Sequence, residues 1–231
     1  MPRALRIMQP SGLVPYDAAW AFQRGLASDM ANGKATPGQD TLILLEHPPV
    51  ITIGRRGNQE EVLFSPEDLS QRGVELRETN RGGAVTWHGP GQLVGYPVFD
   101  LNHHGRDVHN HMRRIEAALI AALATVGVSA SRREGLTGVW VQDRKIASIG
   151  VAISHWITYH GFALNVDPDL SHFDLIVPCG LKGVVMTSIR RETGQPATVA
   201  HVAEAVINSF VAEFSFDSVS RQTGPLPEAP A

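Results

Sequence analysis

The chain has 231 residues, with 20 Lys and Arg against 23 Asp and Glu, for a formal net charge of −3. A mildly acidic chain lacks the basic excess that general nucleic-acid binding requires, and 43% apolar residues exclude disorder over the bulk of the length. A single cysteine excludes an intramolecular disulfide framework and any multi-cysteine metal centre.

In chain order, Met1-Pro2-Arg3-Ala4-Leu5-Arg6 is charged but is followed by no apolar h-region, so no targeting segment and a cytoplasmic protein are expected. Residues 15–30 have helical period, and 33–40 read as a loop. Residues 41–45 and 50–53 read as strands. Ser65-Pro66-Glu67-Asp68 combines a cap, a proline and an acidic first turn, which predicts a short helix. Strands follow at 74–77 and 93–99. A second helix is marked by Val108, Met112, Ile115, Leu119 and Leu123, with Asp107 as N-cap and Gly127 as its stop. Its Ala-rich continuation over 117–130 falls short of the ~20 residues that span a bilayer. Strands are expected at 138–141, 146–153 and 161–166, and a third helix from Thr198. From Gln222 onward the chain reads as a disordered tail. There is no repeat and no long linker, so residues 1–221 read as one domain. Lone helices between groups of strands predict an α+β fold with a mixed, largely antiparallel sheet flanked by helices.

Chemistry concentrates in four places. The segment from Asn80 to Tyr96 packs five glycines into 17 positions. Gly82-Gly83 permits close backbone approach to a ligand, and Gly89-Pro90-Gly91 forces a turn after His88. The same pattern fits two ordinary turns flanking a strand. It matches neither the dinucleotide nor the P-loop signature. His103, His104, His109 and His111 cluster without a standard metal-ligand spacing, and surface or core roles account for them equally. Cys179, between Pro178 and Gly180, is either a buried core thiol or a nucleophile presented on a bend. Lys145 is one of only three lysines and opens an apolar strand; unlike Arg, a lysine can lose its proton and act as a base.

The runs RGGAVTWHGPGQLVGYP, GVW…RKIASIGV, HGFALNV and IVPCG, in this order, resemble the octanoyl-[acyl carrier protein]:protein N-octanoyltransferases. That family is related to the biotin and lipoate protein ligases, and the resemblance spans about residues 7–214. It implies a biotin/lipoate protein ligase-like fold. It also implies transfer of an octanoyl group from octanoyl-acyl carrier protein to the lysine ε-amine of lipoyl domains. The acceptors would be the 2-oxoacid dehydrogenase E2 subunits and the glycine cleavage H protein. No cofactor, metal, nucleic acid or membrane is implied.

Carried over residue by residue, Cys179 would form the acyl thioester and Lys145 would lower its pKa. Substrate contacts would come from Arg81, Gly82, Gly83, Ala84, Val85, Thr86, Trp87 and His88, from Ser148, Ile149 and Gly150, and from Gly161, Phe162 and Ala163. The rival readings are an ATP-dependent lipoate or biotin ligase, a non-catalytic acyl-carrier-docking module, and a Cys-His hydrolase using His88 or His160. Arg55-Arg56, Arg132-Arg133 and Arg190-Arg191 are candidate steering patches for an acidic carrier.

Overall fold

The structure, a computed structural model, describes residues 3–177 and 183–230. The chain opens with β1 (Ala4–Pro10), α1 (Tyr16–Ala31), β2 (Gln39–Leu45) and β3 (Val50–Ile53). After a 3-10 turn at Gln59–Glu61 come α2 (Pro66–Gln71), β4 (Glu75–Glu78), β5 (Val85–His88) and β6 (Gln92–Val98). Helix α3 (Val108–Thr125) leads into β7 (Ser131–Arg133), β8 (Leu136–Val141), β9 (Arg144–Ser154) and β10 (Ile157–Asn165). Then follow β11 (Val185–Met186), α4 (Ile189–Thr193), α5 (Val199–Phe214) and β12 (Ser218–Gly224).

Among the described residues the strands form two sheets. One has nine strands in the order β12-β1-β2-β6-β10-β9-β8-β7, with β11 paired to β9; the other is β4-β3-β5. In the large sheet β1 runs parallel to β12 and β2, and from β2 to β7 every neighbouring pair is antiparallel. The mixed, largely antiparallel sheet flanked by helices is the architecture expected from the strand pattern.

Side-chain alternation explains the layering. Leu42 and Leu44 of β2 join Leu119 of α3 and Phe210 of α5 in one core, while Ile43 and Leu45 face the other way toward Phe22 of α1. A strand covered on both faces needs no polar alternation, hence the unbroken Leu42-Ile43-Leu44-Leu45. The small sheet has its own core, where Ile51, Val85 and Trp87 pack on Leu69, Phe173 and Ile176. Ser65, Asp107 and Thr198 cap α2, α3 and α5 by accepting the N–H groups of Asp68, Asn110 and His201.

Three expectations change. Gln222, Thr223 and Gly224 are not tail but the end of β12, because the open edge of β1 supplies their backbone partners. Nothing in the polar S-V-S-R-Q-T-G run announces a strand. The residues Ala4–Pro10, read only for a targeting segment, form strand β1 with Leu5 and Ile7 buried, and Gln39 and Asp40 belong to β2 rather than to a loop. The four clustered histidines diverge: His103 and His109 are exposed, His104 donates from Nε2 to Asp40 Oδ2 (2.6 Å), and His111 is buried against Phe99 and Phe214. No group of three or more metal-ligating side chains occurs among the described residues, and no helix there is long and apolar enough to cross a membrane.

One buried charge fixes the hairpin β7–β8. Glu116 of α3 has a side chain only 1% exposed. Its Oε2 accepts from Arg113 Nη1 at 2.7 Å and Arg132 Nε at 3.0 Å, and its Oε1 accepts the Gly138 N–H at 3.0 Å. Removing the carboxylate leaves a buried donor unsatisfied and loses charge-assisted bonds. Glu116→Ala is expected to lower the urea-unfolding free energy by about 3 kcal/mol. Glu116→Gln, which keeps an acceptor for Gly138, should lose less.

Candidate active site

A cavity of about 400 Å³ lies between the two sheets, within the range of small-molecule sites. Its floor is the large sheet: Lys145, Ser148 and Gly150 on β9, Gly161 and Ala163 on β10, and Val94 and Tyr96 on β6. Its roof is β5 and the loop before it, with Arg81, Gly83, Ala84, Thr86 and His88. Tyr16 at the start of α1, Arg56, Glu61 and the β7–β8 tip (Gly135, Leu136, Thr137) complete the walls.

The roof loop is clamped to both sheets by backbone. Gly82 N–H donates to Val151 O on β9 (2.9 Å), while Arg55 and Arg56 N–H donate to Arg81 O and Gly83 O (both 3.0 Å). Glycines make this approach possible. A Cβ at Gly150 would lie 2.4 Å from Gly82 O, and one at Gly54 would lie 2.5 Å from Gly83 O. Gly83 itself has φ +92°, a conformation that other residues avoid. Arg81, buried in the loop, donates through Nη2 to Thr52 O (2.7 Å) and Ala84 O (2.8 Å), through Nη1 to Gly82 O (3.1 Å), and through Nε and Nη2 to Thr52 Oγ1.

The residues singled out from the sequence fall as follows. Arg81, Gly83, Ala84, Val85, Thr86, His88, Lys145, Ser148, Ile149, Gly150, Gly161, Phe162 and Ala163 all line the cavity. Gly82 serves through its backbone bond to β9. Trp87 points the opposite way, because period-two alternation on β5 sends Thr86 and His88 to the cavity and Trp87 into the small-sheet core, stacked on His172 at 4.8 Å. The Phe162 ring also faces away, onto Phe210 of α5, and its contribution to the floor is main chain. Lys145 is 4% exposed, with Nζ 5.3 Å from the centre of the Trp140 ring. Cys179 lies outside the described residues.

Sequence reading missed Tyr16, Tyr96, Glu61 and Trp140. The two tyrosines and the tryptophan sit at apolar-patterned positions and read as core. Glu61 lies in an irregular turn that carries no pattern at all.

Hydrogen bonds orient the buried imidazoles. Asn165 Nδ2 donates to Thr187 O, which leaves Asn165 Oδ1 to accept from Gln92 Nε2 (3.0 Å). Gln92 Oε1 then accepts from His88 Nδ1 (2.7 Å). His88 Nε2 is therefore the acceptor nitrogen, 3.5 Å from Thr52 Oγ1, whose own hydrogen is free because Arg81 fills its acceptor positions. In the same way His47 donates from Nδ1 to Val14 O and accepts at Nε2 from the Tyr96 hydroxyl, both at 2.6 Å. His160 donates from Nε2 to Asn80 Oδ1 (2.9 Å), since Asn80 Nδ2 donates to the Tyr159 hydroxyl.

Comparison with known proteins identifies relatives. The profile of the lipoyl protein ligase A/B catalytic domain matches residues 15–211. The octanoyltransferase of Chloroflexus aurantiacus is 50% identical over 199 residues, covering 85% of this chain and 88% of the relative. The octanoyltransferase of Geobacter sulfurreducens is 50% identical over 195 residues, covering 84% and 79%. Among solved structures, the bi-partite lipoate protein ligase from Thermoplasma acidophilum, described together with its E2 lipoyl domain, aligns with a TM-score of 0.73 at 17% identity. That alignment covers 96% of this chain and 87% of the ligase, and so shares the fold.

Burial sets the charge state of this region. It pushes His47 down to about 4, and His88 and His160 down to about 3; neighbouring His47 adds to the shift at His88, and Arg81 to that at His160. His111, in the core beneath α3, falls to about 3 by burial, with His104 and Arg114 adding. All four are neutral in the folded protein at neutral pH, whereas the unfolded chain takes up protons below about 6.5. Their contribution to stability is therefore complete above pH 6.5 and lost as pH falls through the folded values, about 4 for His47 and about 3 for the other three. Each group contributes a slope of about 1.4 kcal/mol per pH unit once its unfolded form is protonated. Unfolding free energy measured in urea should thus fall by roughly 5 kcal/mol per unit between about pH 5.5 and 4.5, with an uptake of close to four protons.

Proposed function

The chain belongs to the lipoyl protein ligase A/B catalytic-domain family, and from that premise we propose that it moves an octanoyl group from octanoyl-acyl carrier protein, through a thioester on Cys179 assisted by Lys145, to the lysine ε-amine of lipoyl domains. Octanoyl transfer is the activity named for relatives 50% identical over most of this chain. The observation that carries the reading is a buried lysine lining a cavity floored by small residues, Gly150, Gly161 and Ala163. Small side chains leave room for an acyl chain, and each buried CH₂ contributes about 0.8 kcal/mol.

The proposed chemistry proceeds in two halves. A free thiol, with a pKa near 8.5, is a few per cent thiolate at neutral pH. An ammonium ~4 Å away at an effective dielectric of ~20 stabilises the thiolate by about 4 kcal/mol, before desolvation subtracts its share. The Cys179 thiolate attacks the carrier thioester. A new C–S bond forms, the old one breaks, and the departing carrier thiolate takes a proton from Lys145. Lys145 is then neutral beside an uncharged thioester. In the second half the acceptor amine attacks, the C–N bond forms and the C–S bond breaks. Lys145 takes the amine proton, which restores the ammonium–thiolate pair. Arginine holds its charge: the carrier thiolate can still depart and take its proton from water, but arginine cannot take the amine proton in the second half.

Carrier docking has a specific expectation as well. Of the three arginine pairs, Arg132 is spent on Glu116, Arg133 on Asp143 and Arg190 on Asp167. Arg55 and Arg56 are exposed, make no ion pair among the described residues, and Arg56 lines the cavity. We assign them the acidic carrier, together with E2 and H-protein lipoyl domains as the acceptors.

Intact-mass spectrometry after mixing with octanoyl-acyl carrier protein, without ATP or acceptor, tests the route. A single octanoyl adduct is expected on the wild type and on Lys145→Arg, and none on Cys179→Ala. Transfer from the Lys145→Arg adduct to a lipoyl domain should be at least a hundredfold slow, in keeping with general-base catalysis. An ATP requirement for lipoyl-domain modification would instead favour a ligase. Arg56→Glu should lower the on-rate for the carrier and flatten its salt dependence, measured by stopped flow at two ionic strengths.

A further inference from the structure

The cavity meets an electrostatic difficulty that its second substrate must solve. An acceptor lysine has a pKa near 10.4 and arrives as an ammonium ion. Two of the side chains lining the cavity are still cations when the acceptor arrives, Arg56 and Arg81, since Lys145 has by then given up its proton. Like charges within a few ångströms disfavour entry of a third. His88 and His160 also line the cavity and are neutral.

Among the described residues one carboxylate lines this space, that of Glu61. It closes the 3-10 turn Gln59–Glu61, whose N-cap Asn58 accepts the Glu61 N–H. The Glu61 carbonyl accepts the Val177 N–H at 2.7 Å, and the neighbouring Val62 bridges Ile176, so the turn is anchored to the strand-like segment before Pro178. The carboxylate is differently placed. Its Oε2 is buried and has no hydrogen-bond partner, and Glu61 makes no ion pair among the described residues. A buried carboxylate oxygen without a donor is costly, and structures retain one where a ligand supplies the donor.

We propose that Glu61 is the recognition group for the acceptor's ε-ammonium. This rests on the acyl-transfer reading given above and adds to it the site of the second substrate. The ammonium donates to Glu61 Oε2, which offsets the repulsion of Arg56 and Arg81. Away from the carboxylate and near the arginines the ammonium form is disfavoured. One proton then returns to water, and the neutral amine reaches the acyl group. Glu61 forms and breaks no covalent bond. Its work is to bind the cationic acceptor, and the acyl carrier, which brings no ammonium, does not need it.

The test uses the full-length enzyme carrying Glu61→Gln, which is isosteric and leaves the fold undisturbed, with Glu61→Asp beside it. Three rates are measured: acylation by octanoyl-acyl carrier protein, transfer from the isolated acyl-enzyme to an apo lipoyl domain, and cleavage of the acyl-enzyme by hydroxylamine, a nucleophile that is uncharged at pH 7.5. Acylation and hydroxylamine cleavage should match the wild type. The KM for the lipoyl domain should rise about ten- to hundredfold in Glu61→Gln, the range for losing a hydrogen bond to a charged group, with kcat little changed and partial recovery in Glu61→Asp. An unchanged acceptor KM overturns the proposal. So does an equal slowing of all three rates, which would make Glu61 a structural support or a partner of the catalytic pair. Failure of the wild type to form any acyl-enzyme would count against the underlying thioester route, an outcome separate from a normal adduct with an indifferent Glu61→Gln.

Discussion

Arg81 reaches from its loop into the small sheet, giving its guanidinium hydrogens to Thr52, Gly82 and Ala84, while the next residue bonds the backbone of β9 in the large sheet. The cavity is the space these bonds hold open. A charged guanidinium is expensive to bury, and carbonyl dipoles in bidentate reach offset that cost. The arrangement also needs glycine at positions 54 and 150, where a Cβ would collide with the loop carbonyls. The glycine-rich motif is thus less a flexible loop than a rigid strut. Its backbone groups are spent on the two sheets, and Thr86 and His88 are left facing the ligand space.

The second organising feature is a directional chain of buried amides and imidazoles. From Thr187 through Asn165 and Gln92 to His88, each donor is fixed by the one before it. Fixed tautomers in a water-poor wall present defined donors and acceptors without mobile charge. Neutral histidines matter here because the lining already carries Arg81 and Lys145. Protonation of even one imidazole would add like charge to a desolvated space. The same burial makes the fold sensitive to acid, so polarity in the wall and stability of the core are two aspects of one constraint.

Placement of Lys145 illustrates how the elements cooperate. It sits near the start of β9, where β8, β11 and the Trp140 ring surround it. Gly138, with φ +129°, allows the strand beside it to pass close to the Lys145 side chain. Gly138 is in turn held by Glu116 from α3. A helix on one face of the sheet thereby sets the position of a cation on the cavity side, through a single buried carboxylate.

Much of this was legible in the sequence because it rests on local physics. The caps at Ser65 and Asp107, the helix start at Thr198, the strand at 41–45, the helix periods and the glycine density around Gly82-Gly83 are consequences of near neighbours along the chain. Motif order placed Lys145 and the segments at 81–88, 148–150 and 161–163 in one site, and thirteen of those residues line one cavity. What the sequence could not decide were matters of facing and partnership. Trp87 lies inside the strongest motif, yet the pleat turns it away. Strand β12 exists because β1 has an open edge, and its polar run carries no apolar alternation of its own. Glu61 becomes a cavity carboxylate only through the pairing of its turn with the segment around Ile176, over 100 residues distant. Local propensity determined the elements. Long-range backbone pairing alone decided which side chains meet across the gap between the sheets, because strand register carries no signature in residues so far apart.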